Sequence, residues 1–142
     1  MLAAHLTIVA AALFTGAAIY INVAEQPARQ ALAGGPMLAQ WQASYRRAAI
    51  MQASLALVGG ALACWAAYRG ADARWLLAAL LLIANWPYTL LCIKPTNDIL
   101  NRLPISEAGP DAPRHIARWG RLHAGRSALG LAAVLACLWA GR

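Results

Sequence analysis

The sequence predicts an all-α fold, a four-helix transmembrane bundle with up-down-up-down topology that forms a single integral-membrane domain over residues 1–142. Of the 142 residues, 61% are hydrophobic and only 12% are charged, whereas a soluble domain carries about a quarter charged residues. The mean hydropathy is +0.53. Four largely apolar stretches, each near the length that crosses a bilayer as a helix, alternate with short polar or Gly/Pro segments.

The first helix is predicted over residues 2–24. No Lys or Arg precedes Arg29, so the segment lacks the basic start of a signal peptide. We therefore interpret it as a membrane helix. Pro27 removes a backbone hydrogen bond, which predicts a kink or an end of the helix near Ala24.

The second helix is predicted over residues 36–68, after the break at Gly34-Gly35-Pro36, whose proline suits a helix start. A connection of only a few residues follows, so the second and third helices are expected to be antiparallel neighbours.

The third helix is predicted over residues 75–94, with a kink at Pro87. Residues 96–101 are expected to form a separate short helix outside the bilayer. The fourth helix is predicted over residues 113–140. Only residues 128–140 are strictly apolar, too short a run to cross a bilayer.

The fourth helix must therefore take His123 and Arg126 to the membrane interface or below it. An arginine inside a membrane helix is costly and normally faces the bundle interior with a partner. We expect Arg126 to do so, with Glu25 as a candidate partner.

Charge predicts the orientation. The net charge is +7, but no basic-aromatic surface motif is present, so a nucleic-acid partner is not predicted and the bilayer is the expected partner. The first and third connections share one side with nine Lys/Arg, against three on the other side with both termini. By the positive-inside rule, the rich side is cytoplasmic and the termini are extracytoplasmic, in what we expect to be a bacterial inner membrane.

Polar side chains converge at the basic ends of all four predicted helices. Within residues 84–100, five polar side chains share one helical face at i, i+3, i+4, i+7 and i+11: Asn85, Tyr88, Thr89, Cys92 and Thr96. On the fourth helix, Trp119, His123 and Arg126 share a face. Convergent polar groups in an apolar bundle are typical of a ligand or active site.

Several of these residues also have simpler interpretations. Trp and Tyr near helix ends are commonly interface anchors, Glu25 and Arg29 have the spacing of an i, i+4 ion pair, and Asn97 suits a helix cap. No metal site is predicted. His5 lies roughly 25 Å along the helix from Asn22, at 1.5 Å per residue, so it cannot bind the same metal ion as His123. A haem or metal stays an open alternative. The three cysteines lie alone in apolar runs and are expected to be inert thiols.

Three segments carry a resemblance to a known family: NVAEQPAR at residues 22–29, ANWPYTLLCIKPTNDIL at residues 84–100 and WGRLHAGRSALG at residues 119–130. In these segments the chain resembles the anthrone-oxygenase-like family of small four-helix membrane proteins, long catalogued as a domain of unknown function. The resemblance implies oxidation of a lipophilic phenolic, anthrone- or quinol-like substrate with dioxygen as co-substrate and no added cofactor.

The resemblance, taken with the side-chain chemistry, assigns candidate roles. His123 is the candidate general base, with Glu25 as orienter or alternative base. Arg126 and Arg29 are candidates to stabilise a substrate anion, and Asn97 or Asn22 to hold a carbonyl or peroxide oxygen. The candidate substrate-binding residues are Asn22, Trp41, Tyr45, Gln52, Asn85, Trp86, Tyr88, Thr89, Thr96 and Trp119.

Two hypotheses of different classes follow, and the enzyme is favoured. The first is a membrane oxygenase whose pocket lies at the cytoplasmic helix ends. The second is a non-catalytic binding or assembly module that holds a lipid, a quinone or a partner helix. Either way the expected partner is a lipophilic small molecule, and no oligomeric state is predicted. We further expect Glu25, Arg29, His123 and Arg126 to share one pocket, with His5 near the opposite membrane face.

Overall fold

The computed structural model describes residues 2–70 and 72–142, and within them the chain is helical without any strand. These residues contain four helices long and apolar enough to cross a membrane: α1 (Leu2–Gln30), α2 (Gly34–Tyr68), α3 (Trp75–Arg102) and α4 (Asp111–Ala140). The predicted all-α class with four membrane-capable helices is confirmed, as a multi-pass integral membrane protein requires.

Two of the helices contain a π-helical turn next to a proline. In α1, the π turn Ile21–Glu25 precedes the α-helical segment Gln26–Gln30. In α3, the π turn Thr89–Ile93 precedes the segment Lys94–Arg102. In both, the proline is the second residue after the turn. Proline has no N–H to donate and crowds the carbonyl four residues back, and the wider π turn accommodates both defects.

The prolines therefore do not end their helices. The Gln26 N–H donates to the Ile21 carbonyl, and the Lys94 N–H donates to the Thr89 carbonyl, which are both i to i−5 bonds. Of the two alternatives predicted near Ala24, a kink or an end of the helix, the end is wrong, because the helix passes through a π turn and continues to Gln30. The predicted separate helix at residues 96–101 is also wrong, because these residues continue α3. A break in α3 lies at Ala84, three residues before Pro87.

Contacts between helices show that neighbouring helices are antiparallel. Thr15 lies against Gly130, and Gln26 lies against Gly120, so α1 and α4 are antiparallel. Similarly, Gly60 packs on Ile83 of α3, whereas the earlier Gln42 donates to the later Leu100 carbonyl at 2.8 Å. Whether the helices cross a membrane in the predicted up-down-up-down sense stays a prediction.

Small residues pack one end of the bundle, and larger residues pack the other. Near the chain termini the buried cluster is rich in alanine around Trp75 and Leu82. At the other end, larger side chains form a second cluster: Ile21, Met37, Leu38, Trp41, Ile93, Leu100, Ile116 and Trp119. Outward faces carry exposed large apolar side chains such as Leu13, Leu57 and Leu135, as lipid-facing surfaces do.

The turn between α2 and α3 lies at the alanine-rich end. The Arg74 side chain and backbone hydrogen-bond to the Asp72 carboxylate, and the side-chain bond is the main cause that lowers the pKa of this carboxyl. His5 borders a surface depression here with Trp65 and Arg142. His5 thus lies at the opposite end from His123, as expected.

Close packing of α3 on α4 predicts a stability effect at Gly125. A Cβ at Gly125 would overlap the Tyr88 hydroxyl, which donates to the Leu122 carbonyl at 2.7 Å. Gly125→Ala should therefore cost about 1–3 kcal/mol, typical of overpacking, measured as a lower Tm in detergent. Gly16→Ala is the matched control, because nothing lies within 4 Å of its new Cβ. Equal Tm values for the two variants would contradict this packing.

The charge distribution predicts an orientation that thiol labelling can test. Cysteines introduced at the exposed positions Glu107 and Arg142, in a variant whose three native cysteines are alanine, lie at opposite ends. In intact bacteria, a membrane-impermeant maleimide should label position 142, and position 107 only after permeabilisation. Labelling of position 107 alone in intact cells would reverse the orientation.

Candidate functional site

Buried polar side chains concentrate at the end of the bundle where the two π turns lie. The polar and charged residues that are at least nine-tenths buried at this end are Gln26, Arg29, Gln52, Asn85, Thr96, Asn97, His123 and Arg126. Burial of a polar group costs free energy unless it is hydrogen-bonded. A buried group that is hydrogen-bonded to the protein therefore has a structural role, whereas a buried group without such a bond is available to a ligand.

Arg29 uses four of its five N–H donors on protein groups. Its guanidinium donates to Glu25 Oε1 at 2.5 Å, to Gln26 Oε1 at 2.6 Å and to Ser44 Oγ at 3.0 Å. Its Nε also donates to Gln40 Oε1. With every nitrogen of the fork used, Arg29 joins α1 to α2 and keeps little donor capacity for a ligand.

His123 is held by an amide on α1. Asn22 Nδ2 donates to the Gly120 carbonyl of α4 at 2.9 Å, and this bond fixes the orientation of the amide, which leaves Oδ1 as the acceptor. That oxygen lies 2.9 Å from His123 Nδ1 and accepts from Ser127 Oγ at 2.8 Å. Because an amide oxygen can only accept, a neutral His123 carries its proton on Nδ1 and leaves Nε2 as a free base. The predicted orienter, Glu25, is instead bonded to Arg29 and Gln40.

Asn97 is oriented in the same manner. The indole of Trp119 donates to Asn97 Oδ1 at 2.8 Å, which leaves the Asn97 Nδ2 as the free donor. The interpretation of Asn97 as a helix cap is wrong, since no side-chain cap bond is present. Trp119 also stacks on His123 with ring centroids 4.8 Å apart and meets Trp41 edge to face.

Arg126 has no such partners. Its side chain is 8% exposed, and no carboxylate of the described residues lies within ion-pair distance of it. Its Nε is buried without a hydrogen-bond partner, and the guanidinium carbon lies 5.5 Å from the centroid of the Phe14 ring. The expected pairing of Arg126 with Glu25 is therefore wrong, because Glu25 pairs with Arg29.

Two cavities meet at Arg126. The first, which we call the polar chamber, has a volume of about 20 Å³, enough for one water-sized molecule. Its walls include Glu25, Arg29, Tyr45, Ala49, Gln52, Asn97, Trp119, His123 and Arg126. The second, which we call the apolar groove, has a volume of about 130 Å³ and is lined by Tyr45, Ala49, Ala53, Ala56, Asn85, Trp86, Thr89, Leu90 and Arg126.

The structure brings most of the predicted site residues to these two cavities. Glu25, Arg29, His123 and Arg126 share the polar chamber, as expected. Asn22 supports it through His123, and Trp41 packs behind it, stacked on Tyr45. Besides Asn22 and Trp41, two further predicted residues line neither cavity. These are Tyr88, which bonds α4, and Thr96, which is buried.

Sequence reasoning missed Gln40 and Ser44, which hold Arg29. It assigned no role to Ser127, which lies on the same face of α4 as His123 and shares the Asn22 oxygen. Gln40 and Ser44 are spaced at i and i+4 on α2. This spacing marks one helical face and was the available signal for them. Among the described residues, no group of three or more His, Cys, Asp or Glu side chains is arranged to hold a metal ion.

A comparison with protein families found one match. The profile described as anthrone oxygenase matches residues 41–136. The chain belongs to the anthrone oxygenase family. Searches of curated proteins and of solved structures found no match.

The part matched to the anthrone oxygenase family covers most of α2, all of α3 and most of α4. It includes Asn97, Trp119, His123 and Arg126 and both cavity walls on α2 and α3. Asn22, Glu25 and Arg29 precede the matched segment, so their place in the site is supported by geometry alone.

The contrast between the two buried arginines predicts opposite effects on stability. Arg29→Met leaves Glu25, Gln26 and Gln40 without their donor, and breaking such a buried pair typically costs about 3–5 kcal/mol. Arg126→Met removes a buried charge that has no partner, so ligand-free stability should be unchanged or higher. Thermal unfolding of both variants in the same detergent makes the comparison. A Tm for Arg126→Met as low as that for Arg29→Met would show that Arg126 has a structural partner.

Proposed function

We propose that this protein is a membrane oxygenase that uses dioxygen to oxidise a lipophilic phenolic substrate, an anthrone or a hydroquinone, at the polar chamber. The main support is the arrangement of a free histidine base, a free amide donor and an unpartnered arginine around one small buried space. The family match supports the same reaction class.

The reaction for an anthrone balances without an added reductant. A ring CH₂ group and one dioxygen molecule give a ketone and one water. Both C–H bonds break, one oxygen atom becomes the carbonyl oxygen, and the other leaves in water. The four electrons lost by the carbon are the four that reduce dioxygen, so the substrate supplies all of them.

His123 serves as the base for both proton removals. Its Nε2 takes the first proton to give an electron-rich anion that reacts with dioxygen, and it returns that proton to the resulting peroxide. His123 then removes the second C–H proton, the O–O bond breaks, and hydroxide is expelled as the carbonyl forms. The hydroxide takes that proton from His123 and leaves as water. The imidazole is neutral again at the end of the cycle, and Asn22 keeps Nδ1 protonated throughout.

The remaining chamber groups stabilise negative charge. We assign Arg126 to the substrate anion, because its charge is not neutralised by a neighbouring carboxylate. In this proposal Asn97 Nδ2 and Gln52 Nε2 donate to a carbonyl or peroxide oxygen, and the absence of a protein partner for Gln52 Nε2 supports this role. Arg29 becomes a positioning residue, since four of its five N–H donors are occupied. No cofactor is required by this scheme, and a haem stays an open alternative.

The positive-inside bias assigns the chamber to the cytoplasmic leaflet, which we propose is that of a bacterial inner membrane. A lipophilic substrate would reach it from that leaflet. The alternative function is a binding module that holds a quinone or a lipid in the same cavities without chemistry, because unpartnered polar groups suit a ligand as well as a substrate.

Replacement of His123 tests the catalytic scheme. His123→Ala should lower aerobic conversion of anthrone to anthraquinone by about 10²–10⁴-fold, the usual contribution of a general base. Anthraquinone affinity should stay within about tenfold, because a base acts mainly in the transition state. Product formation and oxygen uptake, corrected for spontaneous oxidation, should follow one-to-one stoichiometry in the wild type.

His5→Ala is the matched control and should keep full activity, since His5 lies at the other end of the bundle. A fully active His123→Ala variant would reject the base assignment. A wild-type protein that binds anthraquinone but oxidises neither anthrone nor a hydroquinone would make the binding module the better function.

A further inference from the structure

We propose that the apolar groove between α2 and α3 is the binding subsite for one ring of a planar aromatic ligand, with Arg126 holding an anionic oxygen on that ligand and the groove open to the lipid. This inference rests on the proposed function for the identity of the ligand and adds where the ligand lies and from which side it arrives.

The first observation is a set of polar atoms around the groove that lack partners. Arg126 Nε, Asn85 Oδ1 and Thr89 Oγ1 are all buried without a hydrogen bond. Asn85 is 1% exposed, and its amide nitrogen is occupied by the Leu81 and Leu82 carbonyls. Such orphans are rare in folded proteins. Three of them on one cavity therefore point to a ligand that supplies the missing partners.

The second observation is the shape of the walls. On the α2 side the groove is formed by Ala49, Ala53 and Ala56, which present a shallow apolar surface. On the α3 side, Trp86 and Leu90 border it. Flat rings pack well against an indole in stacked or edge-on geometry. A wall of small residues facing an aromatic one suits a planar ligand better than a branched one.

The third observation is the opening. Contacts of α2 with α3 are extensive along the first ten residues of α3 and sparse beyond Asn85. Trp86 and Leu90, on the rim of the groove, are 38% and 54% exposed. These residues lie in the apolar span of α3, so the opening faces hydrocarbon. A lipophilic molecule can therefore enter from the bilayer without crossing the polar chamber.

Volume and charge restrict the occupant. A cavity of about 150 Å³ takes a benzene molecule, so about 130 Å³ suits a single ring, and further rings would extend past Trp86 toward the lipid. The guanidinium at the inner end has no carboxylate partner, so a phenolate oxygen complements it. Arg126 lines both cavities, which places the bound oxygen beside the base in the chamber.

The experiment compares 2-hydroxyanthraquinone with anthraquinone, which have the same rings with and without an ionisable hydroxyl. Binding is measured by tryptophan quenching in lipid nanodiscs at a pH where the hydroxyl is ionised. The wild type should bind the hydroxylated compound at least tenfold more tightly, and Arg126→Met should remove that preference. Equal affinities for the two compounds in the wild type would overturn the role of Arg126.

Filling the groove tests its location. Ala53→Leu should weaken binding of 2-hydroxyanthraquinone at least tenfold. Ala61→Leu places the same substitution two turns further along α2 on an exposed surface and should have no effect. Wild-type affinity in the Ala53→Leu variant would overturn the proposal. A wild-type protein that binds 2-hydroxyanthraquinone but does not oxidise anthrone would count only against the proposed reaction.

A less disruptive version covers the case in which Ala53→Leu fails to fold. In a variant without native cysteines, Ala53→Cys should react with a lipid-soluble maleimide and be protected by 2-hydroxyanthraquinone, while Ala61→Cys reacts equally with and without it. No protection of Ala53→Cys would mean that another molecule, such as a phospholipid chain, occupies the groove, and would reject the subsite.

Discussion

The structure depends on how an apolar helix bundle satisfies the charges buried inside it. Arg29 and Arg126 are both nine-tenths buried or more, yet they are treated in opposite ways. Arg29 is surrounded by four oxygen acceptors from α1 and α2, and through them the first two helices are joined at the basic end. Arg126 faces only an aromatic ring and two cavities. Arg29 therefore has a structural role, whereas Arg126 is available to a ligand that enters the cavities.

The same distinction applies to the amides. Asn22 and Asn97 each have one end of the amide fixed by the protein, to the Gly120 carbonyl and to the Trp119 indole. Fixing one end determines what the other end offers, an acceptor toward His123 in one case and a donor toward the chamber in the other. Preorganised groups of this kind need not reorient when charge develops, which is where an active site gains most. A binding module would need only the affinity and not this alignment.

Sequence reasoning was most successful where periodicity carries the information. On α3, the periodic face predicted from the sequence is wrong at Cys92, which lies in the π turn and is exposed. On α4, the inward face follows from polar residues at helical spacing, so the meeting of His123 with Arg126 could be predicted. Three features could not. Proline argues against helix in any local analysis, and only the π turns let α1 and α3 continue. The partner of Glu25 was ambiguous because two arginines were in reach. Gln40 and Ser44 resemble ordinary interface residues until Arg29 is seen between them.

The π turns next to Pro27 and Pro95 determine the direction of two side chains in the site. Each π turn accommodates the equivalent of one additional residue relative to regular α-helix, and one residue corresponds to about 100° of rotation about the helix axis. Arg29 and Asn97 each follow a π turn by four residues and occupy corresponding positions on α1 and α3. If either turn relaxed to a regular helix, Arg29 or Asn97 would rotate about the helix axis and face a different neighbour. This would happen without any substitution in the site. The direction in which Arg29 and Asn97 point therefore depends on the π turns next to Pro27 and Pro95, although the two prolines themselves line neither cavity.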